Sequence, residues 1–167
     1  MGQKTSKRTF YIDGSCNNQK KGTLSRIGGV GLIEVREDKV ICNSFGPYQD
    51  VSSDRMEVMG LLHCLRSISE PNLDVVIYCD NKYVVDGKMK KWYLRWVTEY
   101  RTHGTERPNI DLWDIIWEEI RKLATIQTKI ELRWVKGHSG NEYNELADRY
   151  ADKGRKEGRI KDVFKIF

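Results

Sequence analysis

Five consecutive apolar residues, Val75-Val76-Ile77-Tyr78-Cys79, run without a polar break into Asp80. A strand with one wet face alternates apolar and polar residues. An unbroken apolar run of strand length marks a strand covered on both faces, as in parallel α/β sheets. The flanking segments agree. Residues 8–12, 29–35 and 39–45 read as three strands, and the short charged turn Arg36-Glu37-Asp38 joins the last two, which predicts an antiparallel meander. Ser52-Ser53-Asp54 offers helix caps before a helix over 56–68. Residues 82–100 read as a helix interrupted at Gly87. Residues 110–123 form an amphipathic helix, 129–135 a fifth strand, and 142–156 a last helix capped by Asn141. The order β-β-β-α-β-α-β-α predicts an α/β fold with a mixed five-stranded sheet. Its strand order is 3-2-1-4-5, strand 2 is antiparallel, and helices flank it.

That topology has a chemical consequence. If strand 1 points up, Asp13 follows its upper end and Asp80 follows the upper end of strand 4. Glu57 lies in the first turns of a helix that starts at the top, and Asp148 in the second turn of another. His138 lies in the loop above strand 5. Five segments thus converge on the carboxyl edge of the sheet, where open α/β sheets bind ligands. Each acid alone has a plain reading: a turn residue at Asp13-Gly14, caps at Asp80 and Glu57, a solvated position at Asp148. Their convergence is what points to function. Four carboxylates in one place need protons or cations, and all-oxygen ligation favours Mg²⁺ or Mn²⁺ over zinc. Two such ions about 3.5–4 Å apart can drive an in-line displacement at phosphorus.

Composition narrows the class. The 167 residues suit one domain, taken as 1–167 with residues 1–7 frayed and the tail 157–167 unassigned. Val163, Phe164, Ile166 and Phe167 are apolar tail residues that can pack on the body. No apolar run reaches membrane-spanning length, and the polar start lacks a signal-peptide core. Gly2 and Ser6 fit the loose N-myristoylation pattern, but a polar frayed start is the simpler reading. Cys16, Cys42, Cys64 and Cys79 contain no C-x-x-C pair, which argues against zinc and for reduced thiols in the cytoplasm. Net charge is only +5, yet residues 82–107 hold seven basic residues against three acidic ones. So concentrated a patch suggests an anionic partner, with nucleic acid first.

Five blocks carry a family resemblance: Phe10-Tyr11-Ile12-Asp13-Gly14-Ser15, residues 52–59 (Ser-Ser-Asp-Arg-Met-Glu-Val-Met), Tyr78-Cys79-Asp80-Asn81-Lys82-Tyr83-Val84, Val135-Lys136-Gly137-His138-Ser139-Gly140 and Asn144-Glu145-Leu146-Ala147-Asp148. Their order and spacing resemble type 1 ribonucleases H from about residue 8 to 154. The resemblance implies a metal-dependent endonuclease that hydrolyses the RNA strand of RNA–DNA hybrids, leaving 5′-phosphate and 3′-hydroxyl ends. It implies metal-binding catalytic carboxylates at Asp13, Glu57, Asp80 and Asp148, two Mg²⁺ ions with Mn²⁺ as substitute, and a mobile catalytic His138. Hybrid contacts are implied at Ser52, Ser53, Asp54, Asn81, Lys82, Asn109 and Asn144. Residues 88–96 resemble a basic protrusion, with Lys88, Lys90, Lys91, Trp92 and Arg95 as further contacts and Trp92 and Trp96 holding it to the body. Asp54 replaces a more usual Asn and Lys82 a frequent Gln. The segment between Cys16 and Gly28 is longer and more polar than the Gly-rich turn often found there. A self-sufficient monomer with no membrane contact is expected. The rival readings are a related two-metal DNA nuclease or integrase-like enzyme, and a non-catalytic hybrid-binding module.

Overall fold

The computed structural model describes residues 5–17 and 26–166. Strands β1 (Ser6–Cys16), β2 (Ile27–Val35) and β3 (Lys39–Gln49) form the expected meander. Helix α1 (Ser53–Arg66) leads to β4 (Leu73–Cys79), followed by α2 (Lys82–Met89), α3 (Trp92–His103) and α4 (Ile110–Thr125). Then come β5 (Lys129–Trp134), α5 (Glu142–Glu157) and β6 (Ile160–Lys165). The sheet order is β5-β4-β1-β2-β3-β6. The pairs β1–β4 and β4–β5 are parallel, and the rest are antiparallel. The predicted 3-2-1-4-5 order stands inside a sheet with one more strand.

That strand corrects the reading of the tail. Residues 160–165 pair antiparallel with Lys39–Ser44 on the edge of β3. Backbone pairing holds the tail, because Val163, Phe164 and Ile166 stay exposed and only Ile160 packs against the core. Short polar-apolar mixing in Ile-Lys-Asp-Val-Phe-Lys hides an edge strand from periodicity. Phe167 and most of the polar segment after Cys16 lie outside the described residues.

Helices α1 to α4 cover one face of the sheet, with Phe10, Ile12, Leu61, Leu65, Ile77, Trp113 and Ile116 among its buried residues. Helix α5 covers the other face over β1, β2 and β3, against Ile33, Val40 and Cys42. It runs across the strands: Tyr143 meets the Tyr11 ring of β1 at 5.5 Å, while Gly154 lies against Phe45 of β3. The α2–α3 segment corrects a second expectation. Gly87 sits inside α2, and the chain breaks at Lys90-Lys91, where Lys91 is left-handed (φ 61°). Gly87 is small for packing, since a Cβ there would stand 3.1 Å from the Trp113 ring.

Two glycines set the approach of the helices that carry acids. A Cβ on Gly14 would fall 2.7 Å from the backbone nitrogen of Glu57, and one on Gly31 would fall 2.1 Å from the Ala147 carbonyl oxygen. Glycine alone permits these distances. Gly14 thereby brings α1 down onto β1, and Gly31 brings α5 down beside Asp148. Gly14→Ala is expected to cost about 1–3 kcal/mol through overpacking and to displace Glu57. Chemical denaturation alongside a cleavage assay measures both effects.

Candidate active site

Asp13 lies within β1, paired with Gly31, rather than beyond its end, because the β1–β2 ladder continues to Cys16. The expected edge position therefore shifts inward, and Asp13 is 4% exposed. Its Oδ1 accepts the Gly14 N–H at 2.9 Å. Glu57, one turn into α1, is also buried, and its carboxyl acts directly on that of Asp13. Ser52 caps α1 by accepting the Arg55 N–H at 3.1 Å. Asp80 directly follows β4 as expected and is half-buried. Asn144, whose backbone N–H is capped by Asn141 Oδ1 at 3.0 Å, lies near enough to Asp80 to favour its ionised form. The charge of Asp148 acts on both Asp13 and Asp80, and His138 acts on Asp80 from an exposed loop. His138 is left-handed (φ 53°) between Gly137 and Gly140. Asp13, Glu57 and Asp80 thus bear on one another, and the charges of Asp148 and His138 reach this group.

Burial and mutual repulsion dominate the electrostatics. Burial, reinforced by the charges of Asp80 and Asp148, pushes the Asp13 carboxyl up to about 7. Burial and the Asp13 carboxyl hold Glu57 well above the usual carboxylate range. Asp80 is raised mainly by burial, against the nearby Asn144 side chain. Asn144 is itself 3% exposed, and its Oδ1 has no hydrogen-bond partner. An acidic cluster with an orphaned buried oxygen beside it is a set of hard donors short of a cation, and the residues present fit one.

Cys79 and Trp134 adjoin this cluster and were not singled out from the sequence. Cys79 Sγ lies 3.9 Å from Glu57 Oε2, and one ligand atom from each of Glu57, Cys79 and Asp80 falls within 4.8 Å of the others. Burial keeps the Cys79 thiol protonated, so the oxygens remain the hard-cation donors. The signal was its place one residue before Asp80. Trp134, 44% exposed, donates its indole N–H to the Asp80 carbonyl at 3.2 Å, and its ring lies 4.5 Å from Lys82 Nζ.

The remaining sequence candidates divide by what holds them. Asp54 accepts from Asn81 Nδ2 at 2.9 Å, while Asn81 Oδ1 caps α2. Ser53 is exposed beside Ser52 at the α1 start. Asn109 is left-handed (φ 64°) ahead of α4, and Arg55 reaches its Oδ1 at 3.4 Å while clamping Asp111 with two hydrogen bonds. In the protrusion, Lys88 is tied down, its Nζ donating to the Ile130 carbonyl at 2.9 Å. Lys90 stands over the Trp92 ring and pairs with Asp86. Lys91 and Arg95 are exposed. Trp96 is buried against Trp113, whereas Trp92 is 39% exposed. Trp96 anchors the protrusion as expected, and Trp92 only leans on it.

A mixed α/β sheet with a buried carboxylate cluster at its carboxyl edge suits a cation-dependent phosphodiesterase. The RNase H family profile matches residues 5–156. A ribonuclease H of Hahella chejuensis is 36% identical over 150 residues, covering 89% of this chain and 93% of the relative. One of Trichodesmium erythraeum is 34% identical over 157 residues, covering 92% and 91%. Among solved structures, LC9-RNase H1, a type 1 RNase H with the type 2 active-site motif, superposes with TM-score 0.70 at 21% identity, covering 97% of this chain and 80% of that one. The foamy viral protease-reverse transcriptase in complex with RNA/DNA hybrid superposes with TM-score 0.63 at 18% identity, covering 89% and 20%. The chain belongs to the ribonuclease H family. It is a hydrolase, an endonuclease acting on the RNA strand of RNA–DNA hybrids, and its family is metal-dependent. No helix among the described residues is long and apolar enough to cross a membrane.

Proposed function

We propose that Asp13, Glu57, Asp80 and Asp148 carry this activity by holding two Mg²⁺ ions against the scissile phosphate, with His138 moving protons or assisting product release. The observation that carries the reading is the pair of buried carboxyls at Asp13 and Glu57, both raised by burial and by the charge of Asp80. Bound cations would polarise the phosphodiester, supply an activated water and stabilise the leaving oxygen. The chain's own part is to hold the donors in place: Gly14 seats Glu57 against Asp13, and Asn144 favours the ionised form of Asp80. His138, exposed on a glycine-flanked loop, can swing toward Asp80 and exchange a proton with solvent. Products with 5′-phosphate and 3′-hydroxyl ends follow from the family chemistry.

Hybrid contacts are assigned to Ser52, Ser53, Asp54, Asn81, Lys82, Asn109 and Asn144 around the site, and to Lys90, Lys91, Trp92 and Arg95 on the protrusion. Lys88 belongs to the fold more than to the grip, because its amine is bonded and half-buried. Lys90→Ala with Lys91→Ala is expected to raise KM and flatten its slope against log salt by about 1–2. Lys88→Ala should lower stability with little change in that slope. Steady-state kinetics across a salt series measure this. The protein is read as one monomeric domain working in the cytoplasm.

The deciding experiment incubates the protein with labelled hybrid, duplex DNA and duplex RNA, in Mg²⁺ and in Mn²⁺. Cleavage confined to the RNA strand of the hybrid is expected. Cleavage of duplex DNA with the hybrid intact would transfer the reading to a DNA nuclease.

A further inference from the structure

At the β3 edge, away from the carboxylates, lies a cleft of about 420 Å³ lined by Phe45, Pro47, Tyr48, His63, Arg66 and Arg159 with Gly46. Its lining holds two guanidiniums and no carboxylate. Several arginines elsewhere are matched, Arg8 and Arg36 on Glu34, Arg55 on Asp111, Arg101 on Asp114 and Glu118, Arg133 on Glu131, while Arg26, Arg95, Arg107 and Arg149 are not matched among the described residues. Arg66 and Arg159 make no ion pair among the described residues. Arg66 sits in the last turn of α1, where a cation answers the carbonyl end of the helix. Arg159 lies directly after Gly158, the C-cap of α5, and before β6.

Both charges bear on one ring. The His63 imidazole stacks on Phe45 at 3.9 Å, and its Nε2 meets the Tyr48 hydroxyl at 2.6 Å. Arg159 stands 5.4 Å from the same Phe45 ring. Burial and the two arginines hold His63 down to about 4, so the ring adds no charge of its own. The result is an aromatic floor, a hydroxyl and two guanidiniums without ion-pair partners around a cleft of ligand size. Guanidiniums are the side chains best fitted to phosphate, which they grip through two parallel N–H donors.

We propose that this cleft is a phosphate-binding site, separate from the catalytic cluster, in which Arg66 and Arg159 hold the phosphate of a nucleotide unit over the Phe45–His63 floor. The phosphate can come from a free mononucleotide or from a strand of the hybrid. The chemistry is the same, and the test separates the two.

Metal-free protein is titrated at low ionic strength with inorganic phosphate, adenosine 5′-monophosphate and adenosine, following the His63 ring protons by NMR. A saturable shift with both phosphates and none with adenosine is expected. Arg66→Gln with Arg159→Gln should weaken that binding tenfold or more. Both residues are exposed, so the fold should survive, and Arg66→Lys with Arg159→Lys should keep part of the binding. No saturable shift in the wild type, or an equal one in the Gln variant, overturns the proposal. Uncleaved hybrid added to Asp13→Asn protein identifies the source. If it moves the same resonance, and does so only with the arginines present, the phosphate is a strand phosphate. If only the small phosphates move it, the site serves free anions, and the cleft stands either way. Cleavage of a short hybrid by the Gln variant is run in parallel. Its kcat reports on the carboxylate cluster and its KM on hybrid contacts, so loss of the cleft and loss of the catalytic reading remain distinguishable.

Discussion

Asp13→Asn and Asp80→Asn are each expected to lower hybrid cleavage by ~10³-fold or more, equivalent to about 4 kcal/mol of transition-state stabilisation. The fold should survive both. Asparagine keeps the shape of the side chain and its ability to accept a hydrogen bond, including the Gly14 N–H that Asp13 now accepts. What it removes is negative charge where a cation must be held. The loss should therefore fall on kcat, with the circular dichroism spectrum and hybrid affinity largely kept. Near wild-type turnover in either variant would remove that residue from the mechanism. His138→Ala should be milder, about 10²-fold in kcat, since an exposed loop residue that moves protons contributes less than the cation site.

The second large effect is on stability. Asp13 titrates at about 7 in the folded protein against an ordinary 3.8. Below pH 4 it is protonated in both the folded and the unfolded chain, and burial costs nothing. Between about 4 and 7 the unfolded chain ionises first, so the folded state loses stability steadily as pH rises, up to on the order of 4 kcal/mol. Above 7 the penalty is constant. Glu57, raised by the same burial, adds in the same direction. Glu34 and Asp111 act oppositely, because their arginine partners hold them low and their contribution is lost in acid. The comparison that isolates the cluster is therefore between variants. In the absence of metal, Asp13→Asn should melt higher than wild type by a margin that widens from pH 4 to 7. Mg²⁺ at pH 8 should raise the wild-type melting temperature and narrow that margin. A margin that does not change with pH would mean that Asp13 is not held out of its ionised form.

The strands and helices of the body were legible because their signals are local. The Val75–Cys79 run, the Ser52 cap, the Asn141 cap and the amphipathic pattern of residues 110–123 each report their own element. Two local signals misled. Gly87 reads as a helix breaker, yet it lets the ring of Trp113 pack closely and the helix continues. The tail carries too little alternation to announce a strand, and the free edge of β3 makes it one. Substrate contacts were less legible than the acids. A lysine in a basic run looks free to grip phosphate, and only the Ile130 carbonyl, 42 residues away, reveals that Lys88 is not.

The order of elements by itself determined that the segments carrying Asp13, Glu57, Asp80, Asp148 and His138 share one sheet edge, because topology decides which strand ends and helix starts are neighbours. Their residue types determined that the meeting place suits a hard cation. Only the tertiary structure decided how buried each acid is, since burial depends on how closely helices approach the sheet. Gly14 and Gly31 allow approaches that a single Cβ would block, and with them go the buried, raised carboxyls of Asp13 and Glu57 and the orphaned Asn144 oxygen. The tertiary structure alone also brought Arg66 and Arg159 together around His63, from helix and strand ends more than ninety residues apart, where no sequence spacing could have joined them.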